Sequence, residues 1–316
     1  MHTTPHITFA NGDRLPQLGL GTWRSEPGEV ASAVQAAVRA GYRHIDCAAV
    51  YGNEKEIGAA LAELFDAGEV QRSDLWITSK LWNDAHAPDD VAPTLLQTLA
   101  DLQLDYLDLY LMHWPVASLP SGRLISLDER PLLATWNALA AEVKAGRCRH
   151  IGVSNFSAKK LADLVRDAAH KPEMNQVELH PYLQQQALVD YCQSNGIAVT
   201  AYSPLGSPGR PAGLVSGDDP ILLQEPVLAE IAAAHGVTPA QVLIQWALQR
   251  GTAVIPKSVK PARIAQNLAA VQVTLSADDV AKITALDRHR RYVTGVFWVT
   301  EGGPYTLATL WDEDLG

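Results

Sequence analysis

Residues 41–54 read Gly-Tyr-Arg-His-Ile-Asp-Cys-Ala-Ala-Val-Tyr-Gly-Asn-Glu. Tyr42–Asp46 has the composition of a short buried strand, and small residues connect it to a following helix. We expect the side-chain oxygen of Asn53 to cap that helix by accepting a backbone N–H. Asp46 and Tyr51 then lie where a strand gives way to a helix, which is the edge where active sites form in barrels of alternating strands and helices.

Composition indicates a globular protein without a nucleic-acid partner. Of 316 residues, 47% are hydrophobic and 19% charged, and the formal net charge of −10 offers no basic surface. The three cysteines are scattered and form neither a metal-binding spacing nor a disulfide framework, which favours a reducing cytoplasm. Without a signal-like segment or an apolar stretch long enough for a bilayer, we expect a cytoplasmic protein that does not bind membranes. We expect a monomer, with a dimer as the alternative.

A strand–helix alternation runs through the whole chain. Apolar runs followed by helical spacing recur at roughly thirty-residue intervals, which predicts parallel strands joined by helical crossovers. We therefore predict an α/β fold, a (β/α)8 TIM barrel in one domain, residues 1–316, with extra helices before the eighth strand and after the eighth helix. The active site would lie at the C-terminal ends of the strands.

Two features of that prediction have alternatives. Asn11-Gly12 lies between two short strand-like runs and predicts an N-terminal hairpin with a type I′ turn, which either caps one end of the barrel or forms a loose arm. Two doubly wound domains would also give alternating strands and helices. No linker divides the chain, however, and no Gly-x-Gly-x-x-Gly follows a predicted strand, so an ordinary dinucleotide-binding domain is disfavoured.

Four chemically useful side chains follow three consecutive predicted strands. Asp46 and Tyr51 follow the second strand, Lys80 the third and His113 the fourth. Each alone has an ordinary explanation: a helix cap, a ring packed on the barrel rim, a solvated lysine, a core histidine. Because the ends of parallel strands meet at one edge, the four together predict a single buried network.

Such a network suits proton donation to a carbonyl group. A free tyrosine titrates near pH ~10, and a neighbouring ammonium is expected to lower the pKa of Tyr51. Asp46 would keep Lys80 charged, and a neutral His113 would hold a carbonyl oxygen beside the Tyr51 hydroxyl. A proton donor aimed at a carbonyl fits hydride reduction to an alcohol.

With these residues identified, the sequence resembles the aldo-keto reductase family along nearly its whole length. Nine motifs match in order: Leu18–Trp23, Arg43–Asp46, Tyr51–Glu54, Thr78–Trp82, Leu109–Trp114, Ile151–Phe156, Gln176–Pro181, Ala201–Gly206 and Ile255–Ser258. The resemblance implies a catalytic tetrad of Asp46, Tyr51, Lys80 and His113, and reduction of aldehydes and ketones with NADPH bound without a Rossmann fold. The tail Leu310–Leu315 is similar to the plant aldehyde-reductase branch.

The resemblance also implies the cofactor contacts, position by position. The nicotinamide end corresponds to Ser154, Asn155, Gln176 and the stacking ring of Tyr202, and further cofactor contacts correspond to Gly21, Thr22, Trp23, Asp46 and Pro256. The pyrophosphate path corresponds to Ser203, Leu205 and Ser207. The 2′-phosphate corresponds to Lys257, Ser258 and Arg263, and the adenine to Gln266 and Asn267. Family members usually carry Glu where this chain has Gln266, which puts in doubt any ion-pair tie made across the cofactor at that position.

The expected substrate pocket is aromatic. Its predicted residues are Trp23, Trp82, His113, Trp114, Phe297 and Trp298. Such a wall favours hydrophobic or aromatic aldehydes and ketones as small-molecule substrates. The segments 116–130, 206–220 and 288–316 are expected to decide which substrate is used, and the sequence does not identify it.

Two other classes of function stay open at this stage. A barrel of this family can serve as a cofactor-sensing regulatory subunit with little turnover, and the presence of all four tetrad residues does not exclude that role. A metal-dependent barrel hydrolase could use Asp46, His113 and His180 as ligands. No second cluster of carboxylates and histidines supports the hydrolase, so we expect no metal site.

Overall fold

Eight parallel strands form the central sheet of the computed structural model, which describes residues 4–215 and 219–313. The strands of the described part are β1 (His6–Thr8), β2 (Arg14–Pro16), β3 (Leu20–Gly21), β4 (His44–Asp46), β5 (Trp76–Leu81), β6 (Leu107–Met112), β7 (Ala117–Ser118), β8 (Leu124–Ile125), β9 (Cys148–Ser154), β10 (Met174–Glu178), β11 (Ala198–Tyr202) and β12 (Ala253–Val254). The parallel sheet has the order β12-β11-β10-β9-β6-β5-β4-β3, whereas β1–β2 and β7–β8 are separate antiparallel pairs.

The sheet closes on itself between its first and last strands. Leu18 bridges to Val254 and Gly21 bridges to Lys257, both in parallel register. The approach is close, since a Cβ added to Gly21 would lie 2.7 Å from the Ile255 carbonyl oxygen. Only glycine fits there without displacing the chain. The predicted (β/α)8 barrel is confirmed.

Helices surround the barrel. They are α1 (Glu29–Ala40), α2 (Glu54–Asp66), α3 (Pro88–Leu102), α4 (Leu132–Lys144), α5 (Ala158–Asp167), α6 (Gln186–Ser194), α7 (Pro226–His235), α8 (Pro239–Gln249), α9 (Pro261–Leu268), α10 (Ala277–Thr284) and α11 (Leu307–Trp311). The predicted extra helices are present, because two helices precede β12 and α10 follows α9. The hairpin β7–β8 and the short α11 were not predicted. In the described ranges no single helix is long and apolar enough to cross a bilayer; α7 and α8 meet that criterion only as a pair bent by 89°.

The N-terminal hairpin caps the barrel. Phe9 and Leu15 pack in one cluster with Trp76 and Met174, the first residues of β5 and β10. The predicted type I′ turn is wrong. The Phe9 N–H donates to the Asp13 carbonyl and the Gly12 N–H donates to the Phe9 carbonyl, so three residues form the loop. Gly12 is its left-handed residue, with φ 89°.

The predicted cap of α2 is also wrong. Asn53 has φ −123° and ψ 6° rather than the extended backbone of an N-cap, and its side chain accepts no helix N–H. Instead, Asn53 Nδ2 donates to the Thr22 carbonyl at 3.0 Å, and Thr22 Oγ1 donates to the Asp46 carbonyl at 2.8 Å. Asn53 thus fastens the segment that carries Tyr51 to the loop after β3.

Candidate active site

The tetrad residues lie at the C-terminal edge of the barrel. Asp46 is the last residue of β4, Lys80 lies near the end of β5, and His113 directly follows β6. Tyr51 ends a short 3-10 turn that follows β4. Because β4, β5 and β6 are neighbours in parallel register, the sheet itself brings these side chains to one place.

Lys80 is the centre of a buried polar network. Its Nζ donates to Asp46 Oδ1 at 2.5 Å, to the Cys47 carbonyl at 2.8 Å and to the Tyr51 hydroxyl at 3.5 Å. Three acceptors match the three N–H groups of an ammonium. The other oxygen of Asp46 accepts from Gln176 Nε2 at 2.6 Å. The Lys80 side chain is 0% exposed, so its charge depends on these partners.

Burial and charge set the protonation of the network. Burial alone would lower the pKa of Lys80, but the Asp46 carboxylate together with Tyr51 and Cys47 outweighs burial and raises that pKa, so the ammonium form persists. Burial raises the pKa of Tyr51 to about 12, and Lys80 opposes this without reversing it. The expected lowering of the Tyr51 pKa is therefore wrong, because desolvation destabilises the phenolate more than the Lys80 ammonium stabilises it. Burial, reinforced by Lys80, holds the pKa of His113 well below its ordinary value, so its ring is neutral near pH 7.

Neighbouring rings and an amide hold His113 in place. Its ring centroid lies 6.0 Å from the Tyr51 ring and 5.0 Å from the Trp82 ring, both edge to face. Asn155 Nδ2 donates to the His113 carbonyl at 3.0 Å. His113 Nδ1 is buried and has no hydrogen-bond partner among the described residues.

Most of the predicted site residues line one cavity of about 890 Å³. Its predicted lining residues are Gly21, Thr22, Trp23, Asp46, Tyr51, Trp82, His113, Trp114, Ser154, Asn155, Gln176, Tyr202, Ser203, Leu205, Ser207, Pro256, Lys257, Ser258, Arg263, Gln266, Asn267 and Phe297. The sequence did not predict Arg24, Glu26, Glu29, Val50, Pro204, Pro208, Gly209, Arg210, Leu214, Leu223, Thr238, Pro239, Ala240, Ile255 and Val293. Several of these lie within a few residues of a motif, which was the one signal available for them.

The edge beside the tetrad is polar and internally hydrogen-bonded. Tyr202 donates its hydroxyl to Asn155 Oδ1 at 2.7 Å, and Ser154 Oγ donates to the Gln176 carbonyl at 2.8 Å. Asn155 has φ 64° and Ser203 has φ 50°, both in the left-handed region. Non-glycine residues held in this region concentrate at functional sites.

The far end of the cavity carries charges of both signs. Lys257 follows β12, and its Nζ donates to the Arg24 carbonyl at 2.7 Å. Arg263 is exposed in the first turn of α9. Glu26 and Glu29 line the same cavity. The cations Arg24, Lys257 and Arg263 outnumber these two acids.

Aromatic side chains form the opposite wall. Trp114 contacts Phe297, Trp298 and Trp311 with ring centroids 5.5, 6.0 and 5.8 Å away. Trp298 packs on Trp82 at 5.6 Å and is not among the residues that line the cavity, so a substrate contact by Trp298 stays a prediction. Trp298 supports the wall from behind.

His180 does not join Asp46 and His113. Its Nε2 donates to Glu178 Oε1 at 2.8 Å, and both side chains are fully buried. Across residues 4–215 and 219–313, no group of three or more His, Cys, Asp or Glu side chains is arranged to hold a metal ion. The hydrolase hypothesis thus lacks its set of ligands.

Comparison with known proteins identifies the family. A sequence model described as the aldo/keto reductase family matches residues 17–288. The chain is 54% identical over 320 residues to an aldo/keto reductase of Synechocystis sp., covering 99% of this chain and 98% of the relative. It is 47% identical over 302 residues to human aldo-keto reductase family 1 member A1, covering 93% and 92% of the two chains. The chain belongs to the aldo/keto reductase family.

Solved structures agree with this assignment. A Bombyx mori aldo-keto reductase in complex with NADP superposes with a TM-score of 0.86 at 38% identity, covering 94% of this chain and 97% of the other. The aldose reductase of Schistosoma japonicum gives a TM-score of 0.84 at 38% identity, covering 92% and 95%. This aldo/keto reductase is therefore an oxidoreductase of small carbonyl compounds that uses NAD(P)H. Of the tail that is similar to the plant branch, Asp314 and Leu315 lie outside the described residues.

Proposed function

We propose that this aldo/keto reductase reduces aldehydes and ketones with NADPH and that Tyr51 donates the proton. The observation that carries the proposal is the buried Lys80 ammonium, bonded at once to Asp46 and to the Tyr51 hydroxyl. A tyrosine with a pKa of about 12 is protonated throughout the physiological range, so its proton is always available.

Each tetrad residue has a separate task in this reaction. When bound, the reduced nicotinamide supplies a hydride to the substrate's carbonyl carbon. The Tyr51 hydroxyl gives its proton to the carbonyl oxygen, and the phenolate left behind faces Lys80 Nζ, 3.5 Å away. Asp46 keeps Lys80 charged. The neutral His113 ring can donate an N–H to the same carbonyl oxygen and so fix its direction.

The donor set of the cavity fits a nicotinamide dinucleotide. The flat ring of Tyr202 suits stacking against a planar ring, and Ser154, Asn155 and Gln176 provide an amide and hydroxyl edge beside it. Ser203 Oγ and Ser207 Oγ are hydrogen-bonded to each other at 2.6 Å, so the hydroxyl that accepts in this pair keeps its own proton for a phosphate oxygen. These residues would hold the cofactor along the cleft.

Preference for NADPH over NADH rests on the far end of the cleft. Lys257 would meet a 2′-phosphate as a point charge, Ser258 as a hydroxyl donor and Arg263 as a planar fork. Arg263 lies in the first turn of α9, which opens with Pro261 and whose free amides also favour an anion. Gln266 in place of an acid removes one negative charge from this end.

The substrate class follows from the aromatic wall. Trp23, Trp82, Trp114 and Phe297 line the cavity on the substrate side. Apolar walls around a few convergent polar groups favour hydrophobic substrates that present one polar atom. We propose aromatic or other hydrophobic aldehydes, with turnover of the aldehyde-reductase type.

The test is oxidation of NADPH by the purified protein across aldehydes, ketosteroids and aldoses, followed by absorbance. Turnover with 4-nitrobenzaldehyde that is lost in Tyr51→Phe supports the proposal. Tight NADPH binding without turnover of any of these substrates would instead favour a cofactor-sensing regulatory subunit. Unchanged activity after treatment with a chelator would argue against a metal-dependent reaction.

A further inference from the structure

Glu178 is a fully buried carboxylate that the proposed reaction does not use. It ends β10, and its exposed fraction is 0%. Oε1 accepts from the Tyr292 backbone N–H at 2.7 Å and from His180 Nε2 at 2.8 Å. Oε2 accepts from the Val293 backbone N–H at 2.7 Å. A single carboxylate therefore holds two consecutive backbone amides of the C-terminal segment.

This arrangement is a clamp on backbone that has no other regular partner. Tyr292 and Val293 are buried but belong to no helix or strand. Buried amides that lack a ladder need another acceptor, and a buried carboxylate needs donors. Burial alone would raise the pKa of Glu178, but the hydrogen bonds from His180, Tyr292 and Val293 outweigh it and lower that pKa, so the charged form persists.

The clamped segment leads directly into the substrate wall. Val293 and Phe297 line the cavity, and Trp298 supports Trp82 and Trp114 from behind. Further along the chain, Trp311 Nε1 donates to the Thr294 carbonyl at 2.8 Å. Glu178 thus holds the segment at Tyr292 and Val293, and Trp311 holds it at Thr294.

Tyr292 extends the clamp toward the loop after β11. Its ring packs against His180 at 5.0 Å, and its hydroxyl donates to the Pro220 carbonyl at 2.5 Å. The Arg210 guanidinium lies 4.4 Å from the centre of the same ring. Both the substrate wall and the loop beside the cofactor cleft are therefore fastened at one point of the barrel, the end of β10.

We propose that Glu178 is a positioning residue that fixes the wall formed by residues 293–298 and so sets selectivity for aromatic over small aliphatic carbonyl substrates. The inference rests on the proposed reductase function, because selectivity is measured through turnover. Glu178 touches neither the tetrad nor the substrate in this scheme. It acts through the two amides that it holds and through His180, whose ring packs on Tyr292.

The variant Glu178→Gln keeps the size of the side chain but replaces one acceptor oxygen with an NH2 group, so one of the two amides loses its partner. We expect KM for 4-nitrobenzaldehyde to rise about tenfold, in line with loss of one buried hydrogen bond. We expect KM for propionaldehyde, kcat for both substrates and Kd for NADPH to change by less than about twofold. The matched control is Glu142→Gln, a buried carboxylate on α4 that pairs with Arg147.

Other outcomes would overturn the inference. An unchanged KM for both aldehydes would mean that the clamp does not set the wall. An equal rise for both, or a fall in kcat, would mean general loss of structure or damage to the tetrad. Glu142→Gln should leave the ratio of the two KM values unchanged; if it shifts that ratio as much as Glu178→Gln does, the effect is not specific to the clamp.

Hydrogen exchange on the unmodified protein tests the clamp without a variant and without turnover. The amides of Tyr292 and Val293 should exchange at least about a hundredfold more slowly than expected for unstructured chain, although they lie outside helices and strands. Fast exchange of both would overturn the inference even if Glu178→Gln does not fold. Absence of any aldehyde reduction by the unmodified protein would instead sink the proposed function and leave the exchange result to decide on the clamp.

Discussion

The tetrad and the substrate wall meet in one cavity but are held in different ways. Asp46 and Lys80 are residues of β4 and β5, so the ladder of the barrel fixes their positions. The wall at residues 293–298 contains no strand, and a side chain, Glu178, holds its start. Asp46 and Lys80 are thus placed by the backbone of the fold, whereas the substrate contacts of residues 293–298 are placed by a few individual bonds.

The comparison separates chemistry from selectivity. A group held by many ladder bonds keeps its geometry when the surrounding sequence changes. A loop held by two or three bonds can be repositioned by one substitution, which is why loops on rigid scaffolds carry much of the variation in binding. We therefore expect substitutions in the tetrad to affect turnover and substitutions near the wall to affect KM.

The largest expected effect lies on the tetrad side. Tyr51→Phe keeps the ring and removes only the acid, so kcat for 4-nitrobenzaldehyde should fall by about 10²–10⁴-fold. NADPH affinity should be nearly unchanged, because the hydroxyl is assigned to the substrate. Near wild-type turnover in single-substrate kinetics would refute the assignment.

A pH profile of the unmodified protein provides the companion measurement. A proton donor with a pKa of about 12 is fully protonated from pH 6 to 9, so kcat for reduction should be flat across that range. A decline centred near pH 7 would point to a different acid.

The next effect tests the far end of the cleft, which neither the tetrad nor the wall contacts. Arg263→Ala should weaken NADPH binding by roughly 10–150-fold, because a hydrogen bond to a charged group contributes about 1.5–3 kcal/mol. NADH binding should be nearly unchanged. Fluorescence titration of both cofactors decides it. Arg39→Ala, an exposed arginine paired with Glu69 on the outside of the barrel, is the control. Equal weakening of both cofactors would mean that Arg263 does not contact the 2′-phosphate.

The difference between the two regions also explains what the sequence could predict. Strand-end residues such as Lys80 and His113 were identifiable because strand periodicity fixes which edge they reach. The alternation of strand and helix patterns likewise predicted the barrel and the extra helices. The side-chain hydrogen bonds made by Glu178 and Asn53 join residues that are far apart in the chain, and no local sequence pattern predicts such a hydrogen bond.

Errors in the sequence interpretation have the same origin. The Tyr51 pKa was expected to fall because the charge of Lys80 is visible in the sequence, whereas the dehydration that raises it depends on packing from all sides. Phe297 and Trp298 were both assigned to the substrate pocket because they lie together in the C-terminal segment, whereas the packing of the short 3-10 turn Val296–Trp298, which places Trp298 on Trp82, is not visible in the sequence. The prediction of a type I′ turn at Asn11-Gly12 was wrong because the loop contains three residues instead of two, which changes the turn type.

A smaller effect tests how the Tyr51 segment is held to the barrel. If Asn53 capped α2, Asn53→Asp would be tolerated, since aspartate is an equally good cap. Because Asn53 instead donates to the Thr22 carbonyl, Asn53→Asp should reduce the free energy of unfolding by about 1–3 kcal/mol, at least as much as Asn53→Ala. Urea denaturation of the three proteins measures it. An Asn53→Asp variant as stable as the unmodified protein would support the original interpretation of Asn53 as the N-cap of α2.

The smallest expected effect lies on the wall itself and distinguishes the lining from its support. Trp82 lines the cavity and packs edge to face on His113, whereas Trp298 packs behind it. Trp82→Ala removes apolar contact area from large substrates only, and loss of about 40 Å² at ~25 cal/mol per Å² corresponds to about a fivefold rise in KM. KM for 4-nitrobenzaldehyde should rise by that factor, KM for propionaldehyde should not, and Trp298→Ala should give a smaller rise than Trp82→Ala. Equal changes for both aldehydes in Trp82→Ala would show that Trp82 acts by packing against His113, and the division between chemistry and selectivity would then fail at this residue.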